Sequence, residues 1–274
     1  MQTPNSILLH LDGSARIGER IKLACRVAES FDAEVTAKPC TYSALMRYPF
    51  AIDAGSEAIE VMRKVDQEAR DKMHGIFLAN SAGSARLHWE EADVEGPWGF
   101  GRRALYADLL ILGQRDKNDA ADAELPTDFL PSVLAQSGRP ALVMPYAGPV
   151  EPLGRNILLA WKETRESARA VTAALPWLSR ATQVHAVAYG EDAQASLQSL
   201  RSYLQKQGIR DLSLHRGDRD DDDVGNKLLS LASDLGSDLL VMGCYGHSRA
   251  REWILGGATL SILQSMTLPV LMSH

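Results

Sequence analysis

The sequence predicts an α/β protein made of two tandem doubly wound domains, each a five-stranded parallel sheet with helices on both faces. Three observations predict it. Short apolar runs alternate with longer stretches whose apolar residues recur every 3.6 positions. The same order of runs occurs twice along the chain. Strands joined by helix-length crossovers imply a parallel sheet covered on both sides.

Taken in order, residues 7–11 form a first strand that ends at Asp12-Gly13-Ser14. The following helix carries Ile17, Ile21, Ala24, Cys25, Ala28 and Phe31 on one face. A weak second strand covers 35–37, and a long helix presents Ile59, Met62, Val65, Ala69, Met73 and Phe77. Strands at 87–89, 109–112 and 141–144 complete the half. The second half repeats the scheme with strands at 157–161, 184–189, 212–215, 239–242 and 270–272. Its helices carry Ala168, Val171, Leu175 and Leu178, then Leu197, Leu200 and Leu204, then Leu228, Leu231, Ala232 and Leu235.

Three pairs of segments carry the duplication. The run from Asn5 to Asp12 aligns with that from Arg155 to Lys162, and Ala107–Gly113 with 237–243. The run 139–144 aligns with 268–273. The order is kept while the spacing shrinks, so the first half holds about 20 extra residues in its middle. Residues 146–155, punctuated by Gly148, Pro149, Pro152 and Gly154, read as the joint. The expected domains are 1–148 and 153–274.

The chain has 274 residues and a net charge of −6, which argues against general affinity for nucleic acid or anionic lipid. A local basic patch stays compatible with that balance. No apolar run approaches the length that spans a bilayer. Cys25, Cys40 and Cys244 are far apart and fit reduced thiols in a cytoplasmic setting. The acidic run Asp218–Asp223 fails the calcium-loop pattern, with Asp223 at position six and Leu229 at twelve. It reads as a solvated loop that favours the following helix N-terminus. His185 and His215 read as structural, and Glu90, Glu91 and Asp93 as a strand end and solvated turn.

In a doubly wound sheet the ligand crevice lies beyond the carboxyl ends of strands one and four. In the second half the segment after strand four reads Gly243-x2-Gly246-x9-Gly256, then Gly257, Ala258 and Thr259 opening a helix over 258–264. Glycines let backbone N–H groups approach an anion without a Cβ in the way, and a helix N-terminus favours phosphate. His247, Ser248, Arg249, Arg251 and Thr259 add donors. A set of purely structural turns is the alternative. Cys244, between two glycines, is either a reactive thiol or a small residue fitted to a tight loop.

The stretch from Gly243 to Thr259 resembles the C-terminal signature of universal stress proteins, and Leu11-Asp12-Gly13-Ser14 resembles their N-terminal one. The resemblance covers the chain as two domains of the adenine-nucleotide α-hydrolase-like (HUP) type. It implies that Gly243, Gly246 and Gly256, with His247, Ser248 and Arg249, hold the phosphates and ribose of ATP. Gly257, Ala258, Thr259 and the strand-one positions Asp12 and Lys162 complete the implied set. Two departures matter: Lys162 replaces the acid that would contact adenine, and Gly257 stands where the family has Ser or Thr. In the first half Asp12 is kept, but the loop after Gly113 lacks the glycines and carries Asp116, Asp119, Asp122 and Glu124, which repel phosphate.

The expected function is a non-catalytic stress-response protein binding an adenine nucleotide through its second half. A nucleotide-free interaction scaffold and a slow ATPase stay open. The resemblance also implies an intrachain pseudo-dimer joined by edge strands near Val143 and Val270, compatible with further homodimerisation.

Overall fold

A computed structural model describes residues 3–92, 97–148, 151–217, 223–245 and 257–274, apart from the Asp122 side chain. The chain divides into two compact units, Pro4–Arg139 and Pro140–His274. In the first, β1 (Ser6–Leu11), α1 (Ile17–Phe31), β2 (Glu34–Pro39), α2 (Ala44–Arg47), α3 (Phe50–Asp53) and α4 (Ser56–Asn80) come in that order. Then follow β3 (Leu87–Trp89), α5 (Pro97–Ala104), β4 (Leu109–Gly113), a single 3-10 segment (Ala120–Glu124) and α6 (Phe129–Ser137). The strand order is β3-β2-β1-β4, all parallel.

The second unit contains β5 (Ala141–Met144), β6 (Asn156–Ala160), α7 (Arg165–Leu178), β7 (Gln183–Tyr189) and α8 (Ala193–Lys206). It continues with β8 (Ser213–Gly217), α9 (Val224–Asp234), β9 (Leu239–Gly243), α10 (Gly257–Ser265) and β10 (Val270–Ser273). Its order is β5-β10-β9-β6-β7-β8. All these pairings are parallel except that of β5 with β10, which is antiparallel and sets Val143 opposite Val270. The fifth strand of the first repeat therefore bonds to the fifth strand of the second.

Strands β1, β4, β6 and β9 are buried over consecutive residues rather than alternate ones. That pattern requires cover on both sheet faces, which explains why their sequences read as unbroken apolar runs. Each unit also uses one acid in the same way. Asp108, just before β4, accepts from the N–H groups of Asn5 and Ser6 at 3.0 Å. Asp238, just before β9, accepts from Gly154, Arg155 and Asn156. The first and fourth strands of each repeat are thus tied at their amino ends.

Helix α1 buries Ile17, Ile21, Ala24, Ala28 and Phe31 and ends at Asp32, whose left-handed backbone returns its N–H to the Ala28 carbonyl. Helix α4 departs from expectation. Only Met73 and Phe77 of its apolar stripe are buried, and Val65 is 40% exposed. Among the described elements it packs chiefly against the helices α1, α2 and α3. Asp223 caps α9 by accepting from the Asn226 N–H, as the acidic run suggests; Asp218 and residues 219–222 lie outside the described residues.

Candidate functional site

Pairing of β1 with β4 and of β6 with β9 places two crevices at the strand carboxyl ends, where winding reverses. They are built from equivalent positions and furnished differently.

In the first unit, Asp12 is 7% exposed and Arg20 2%. Arg20 reaches from α1 and grips Asp12 with both ends of its fork, Nη1 to Oδ2 and Nη2 to Oδ1, each at 3.0 Å. Ser14 Oγ donates to Asp12 Oδ1 at 2.5 Å, and Arg20 Nη1 also donates to the His10 carbonyl at 3.0 Å. Burial alone would raise the Asp12 carboxyl, but Arg20, His10 and Ser14 override it and hold it well below the usual carboxylate range. Burial drives the neighbouring His10 down to about 4. Its ring is therefore neutral, with Nε2 3.1 Å from the Cys40 carbonyl. Both Asp12 oxygens are committed to the protein's own groups.

The rest of this crevice is filled in the same way. A Cβ on Gly113 would come within 2.6 Å of the Arg20 guanidinium, so Arg20 occupies the space beside the end of β4. The acidic segment after β4 folds back over the turn after β1. Glu124 accepts from the Gly13 N–H at 3.1 Å, and Asp119 accepts from the Ala15 N–H at 2.8 Å. Burial pushes the Glu124 carboxyl up, with Asp12 and Asp119 adding to the rise and Arg47 and the Gly13 N–H opposing it. Carboxylates that would repel an incoming phosphate hold the N–H groups such an anion would use.

Beside Gly243 and Cys244 the second unit instead buries Glu166, 3% exposed, which accepts from Arg165 Nε. Lys162, just beyond β6, is exposed. Ala160 lies opposite Met242, so the turn carrying Lys162 runs beside Gly243 and Cys244. Gly243 meets backbone: a Cβ there would stand 2.5 Å from the Ser167 nitrogen and 2.7 Å from the Glu166 carbonyl carbon. Its glycine is demanded by the first turn of α7, which Thr164 caps by accepting from Ser167 N–H. At the other end of the loop, Gly257 opens α10, and no atom of the described residues beyond its own helix lies within 4 Å of its Cβ direction. Thr259 is buried, and the crossing of α10 on α9 is close at Gly225, where a Cβ would meet Ser261 and the Ala258 carbonyl. The helix begins one residue earlier than the expected 258. Gly246, His247, Ser248, Arg249, Arg251 and Gly256 lie outside the described residues.

Burial, with Glu166 beside it, pushes the Cys244 thiol up to about 12. With the side chain 1% exposed, this speaks for the small-residue alternative over a reactive thiol, because the thiolate is the nucleophile. All three cysteines are buried. A chromogenic disulfide reagent is accordingly expected to titrate no thiol rapidly in the native protein and all three after denaturation. Rapid release of one equivalent from native protein would contradict this.

Arg20 is not legible in the sequence as a site residue, because an arginine reads as a helix's solvent face. Its position is the available signal: it lies three residues after Ile17 and four before Ala24, on the inward stripe. Glu90 corrects the reading of a solvated turn. It accepts from Lys38, itself 2% exposed, at 2.7 Å and from Arg103 Nε at 3.0 Å. A buried lysine needs such a partner. Among the described residues no cluster of three His, Cys, Asp or Glu side chains could hold a metal ion.

No protein-family model matches the chain. No curated protein sequence matches it either. Solved structures do. The chain is similar to a universal stress protein from Archaeoglobus fulgidus DSM 4304, at 15% identity and a TM-score of 0.69, over 100% of this chain and 99% of that one. A putative universal stress protein from Pseudomonas aeruginosa UCBPP-PA14 superposes at 15% identity and a TM-score of 0.61, over 98% and 93% of the two chains. A protein of unknown function from Pseudomonas aeruginosa PAO1 gives 16% identity and a TM-score of 0.59, over 98% and 92%. The fold of this chain, along its whole length, is that of the universal stress proteins.

Proposed function

We propose that the chain is a non-catalytic, cytoplasmic stress-response protein whose second half binds an adenine nucleotide, while its first half is a closed copy of the same site. The asymmetry between the two crevices carries this reading. Arg20, Glu124 and Asp119 take up the groups around Asp12, Gly13 and Ala15, whereas Lys162 is exposed and Gly257, itself exposed, stands at a helix N-terminus. First-turn N–H groups and the helix dipole favour phosphate there. Lys162 is a donor where the adenine amino group needs an acceptor, so its place is with the phosphates or with Glu163. Loss of the adenine contact costs about 1–3 kcal/mol, or one to two decades of affinity.

Calorimetry with ATP, ADP and AMP tests the reading. Saturable heat in the millimolar range or tighter is expected, and Gly246→Val should abolish it because a branched side chain blocks approach to the backbone. An unchanged affinity in that variant would place the site elsewhere.

One observation favours a second reading, a nucleotide-free interaction protein. Met46, Phe50 and Ile52, on and beside α2 and α3, are 48%, 67% and 57% exposed. Absence of heat with every nucleotide would select this reading. ATP turnover that survives stringent purification would replace both.

A further inference from the structure

We propose that the second unit carries another binding site, for a small multivalent oxyanion, in a cavity at the amino ends of β7 and β8. This end of the strands is opposite the crevice discussed above. The cavity measures about 450 Å³ and is lined by His185, Arg201, Gln205, Arg210, Asp211 and Ser213 among others. Its walls come from β7, the C-terminal half of α8 and the segment leading into β8.

The lining is rich in donors and poor in acceptor charge. Two arginines, a histidine, two glutamines and two hydroxyl residues line it together with a single carboxylate residue, Asp211. Arg201 is fixed by donating from Nη2 to the Leu212 carbonyl at 3.1 Å. A guanidinium has five N–H groups in a rigid fork, so that anchor orients the group and leaves donors for a ligand. Planar forks match the paired oxygens of phosphate and carboxylate groups.

The surroundings point the same way in a chain of net charge −6. Arg155 immediately precedes β6, Arg180 lies between α7 and β7, and Lys206 ends α8, so topology collects all three at the same end of the strands. Of the acids at that end, Asp238 is already engaged by backbone N–H groups ahead of β6. Arg155, Arg180, Arg201, Lys206 and Arg210 against Asp211, Asp234 and Asp238 leave this end of the unit with a surplus of positive charge, a local attraction for anions.

His185 adds a pH dependence. Its Nδ1 lies 3.0 Å from His215 Nε2, which leaves room for one proton between the two rings. Burial, and then the facing His215, lower His185 from its ordinary value. The other charged groups around it are Arg201 from α8 and Arg210 and Asp211 from the segment before β8. An oxyanion in the cavity favours protonated His185, so binding takes up a proton there in addition to any taken up by the ligand.

The test is calorimetry of the full chain with pyrophosphate and with citrate, which separate a phosphate-bearing from a polycarboxylate ligand. Saturable binding of at least one is expected, weakened ~10-fold or more by Arg210→Ala, an exposed position, and accompanied by less proton uptake in His185→Asn than in the parent, the remainder being the ligand's own. Thermal melts of both variants confirm that they fold. Gly246→Val should leave this binding intact even where it removes nucleotide binding. Three results would overturn the site: no saturable heat with either anion up to ~10 mM, wild-type affinity in Arg210→Ala, or loss of pyrophosphate binding in Gly246→Val, which would locate the anion in the loop after β9.

Discussion

Arg20→Ala is expected to lower stability by about 3–5 kcal/mol at pH 7 in urea denaturation. The variant would leave Asp12, 7% exposed, as a buried carboxylate without its counter-charge and with its fork of donors gone. Removing one partner of a buried pair is costly because the survivor's desolvation is no longer offset. The pH dependence follows from the direction of the shift. In the parent protein Asp12 is held well below its ordinary value, so the pair's contribution is complete above an unfolded carboxylate pKa of about 3.9 and lost as pH falls through the folded value. In Arg20→Ala the largest opposing influence is gone, and burial, resisted only by Ser14 and His10, raises Asp12 relative to the parent. The deficit is then greatest at neutral pH and shrinks as acid protonates the carboxyl. The double variant Arg20→Met with Asp12→Leu, which removes both charges, should recover most of the loss. A single variant within about 1 kcal/mol of the parent would show that the crevice is not held by this pair.

The same residues show where the sequence is and is not readable. Strand positions are legible because β1, β4, β6 and β9 are buried on both faces, and a short unbroken apolar run between turn residues suits a strand covered on both sides. The adjacency of β1 with β4, and of β6 with β9, follows from winding alone. The antiparallel partner of β5 is reached only through the family resemblance, since no local signal in Ala141–Met144 names a strand more than a hundred residues away. Side-chain placement at the crevice is harder. Arg20 and Lys38 are long cations that a composition argument sends to the surface, and only their tertiary partners Asp12 and Glu90 make burial tolerable. Asp119 and Glu124 are legible as hostile to phosphate. Their further role, accepting from Gly13 and Ala15, depends on a fold-back of the loop that no short-range pattern encodes.

Gly243→Ala is expected to be the other damaging change, and it bears on how glycine motifs are interpreted. A single methyl group would have to share space with the Ser167 nitrogen and the Glu166 carbonyl carbon, both backbone atoms of the first turn of α7. A flexible side chain could swing away; a helix N-terminus held by the Thr164 cap can yield only by moving the helix. The expected loss is about 1–3 kcal/mol, read as a lower urea midpoint with an unchanged slope. Gly257→Ala, at the far end of the same motif, meets nothing within 4 Å and should leave the midpoint unchanged or slightly raised, because alanine suits a helix start better than glycine does. The two glycines look alike in sequence, yet one is required by a neighbouring helix and the other is exposed at the start of α10. If Gly243→Ala proved as stable as the parent while losing nucleotide binding, the first glycine would belong to the ligand. Loss of stability with or without a nucleotide assigns it to the contact between β9 and α7.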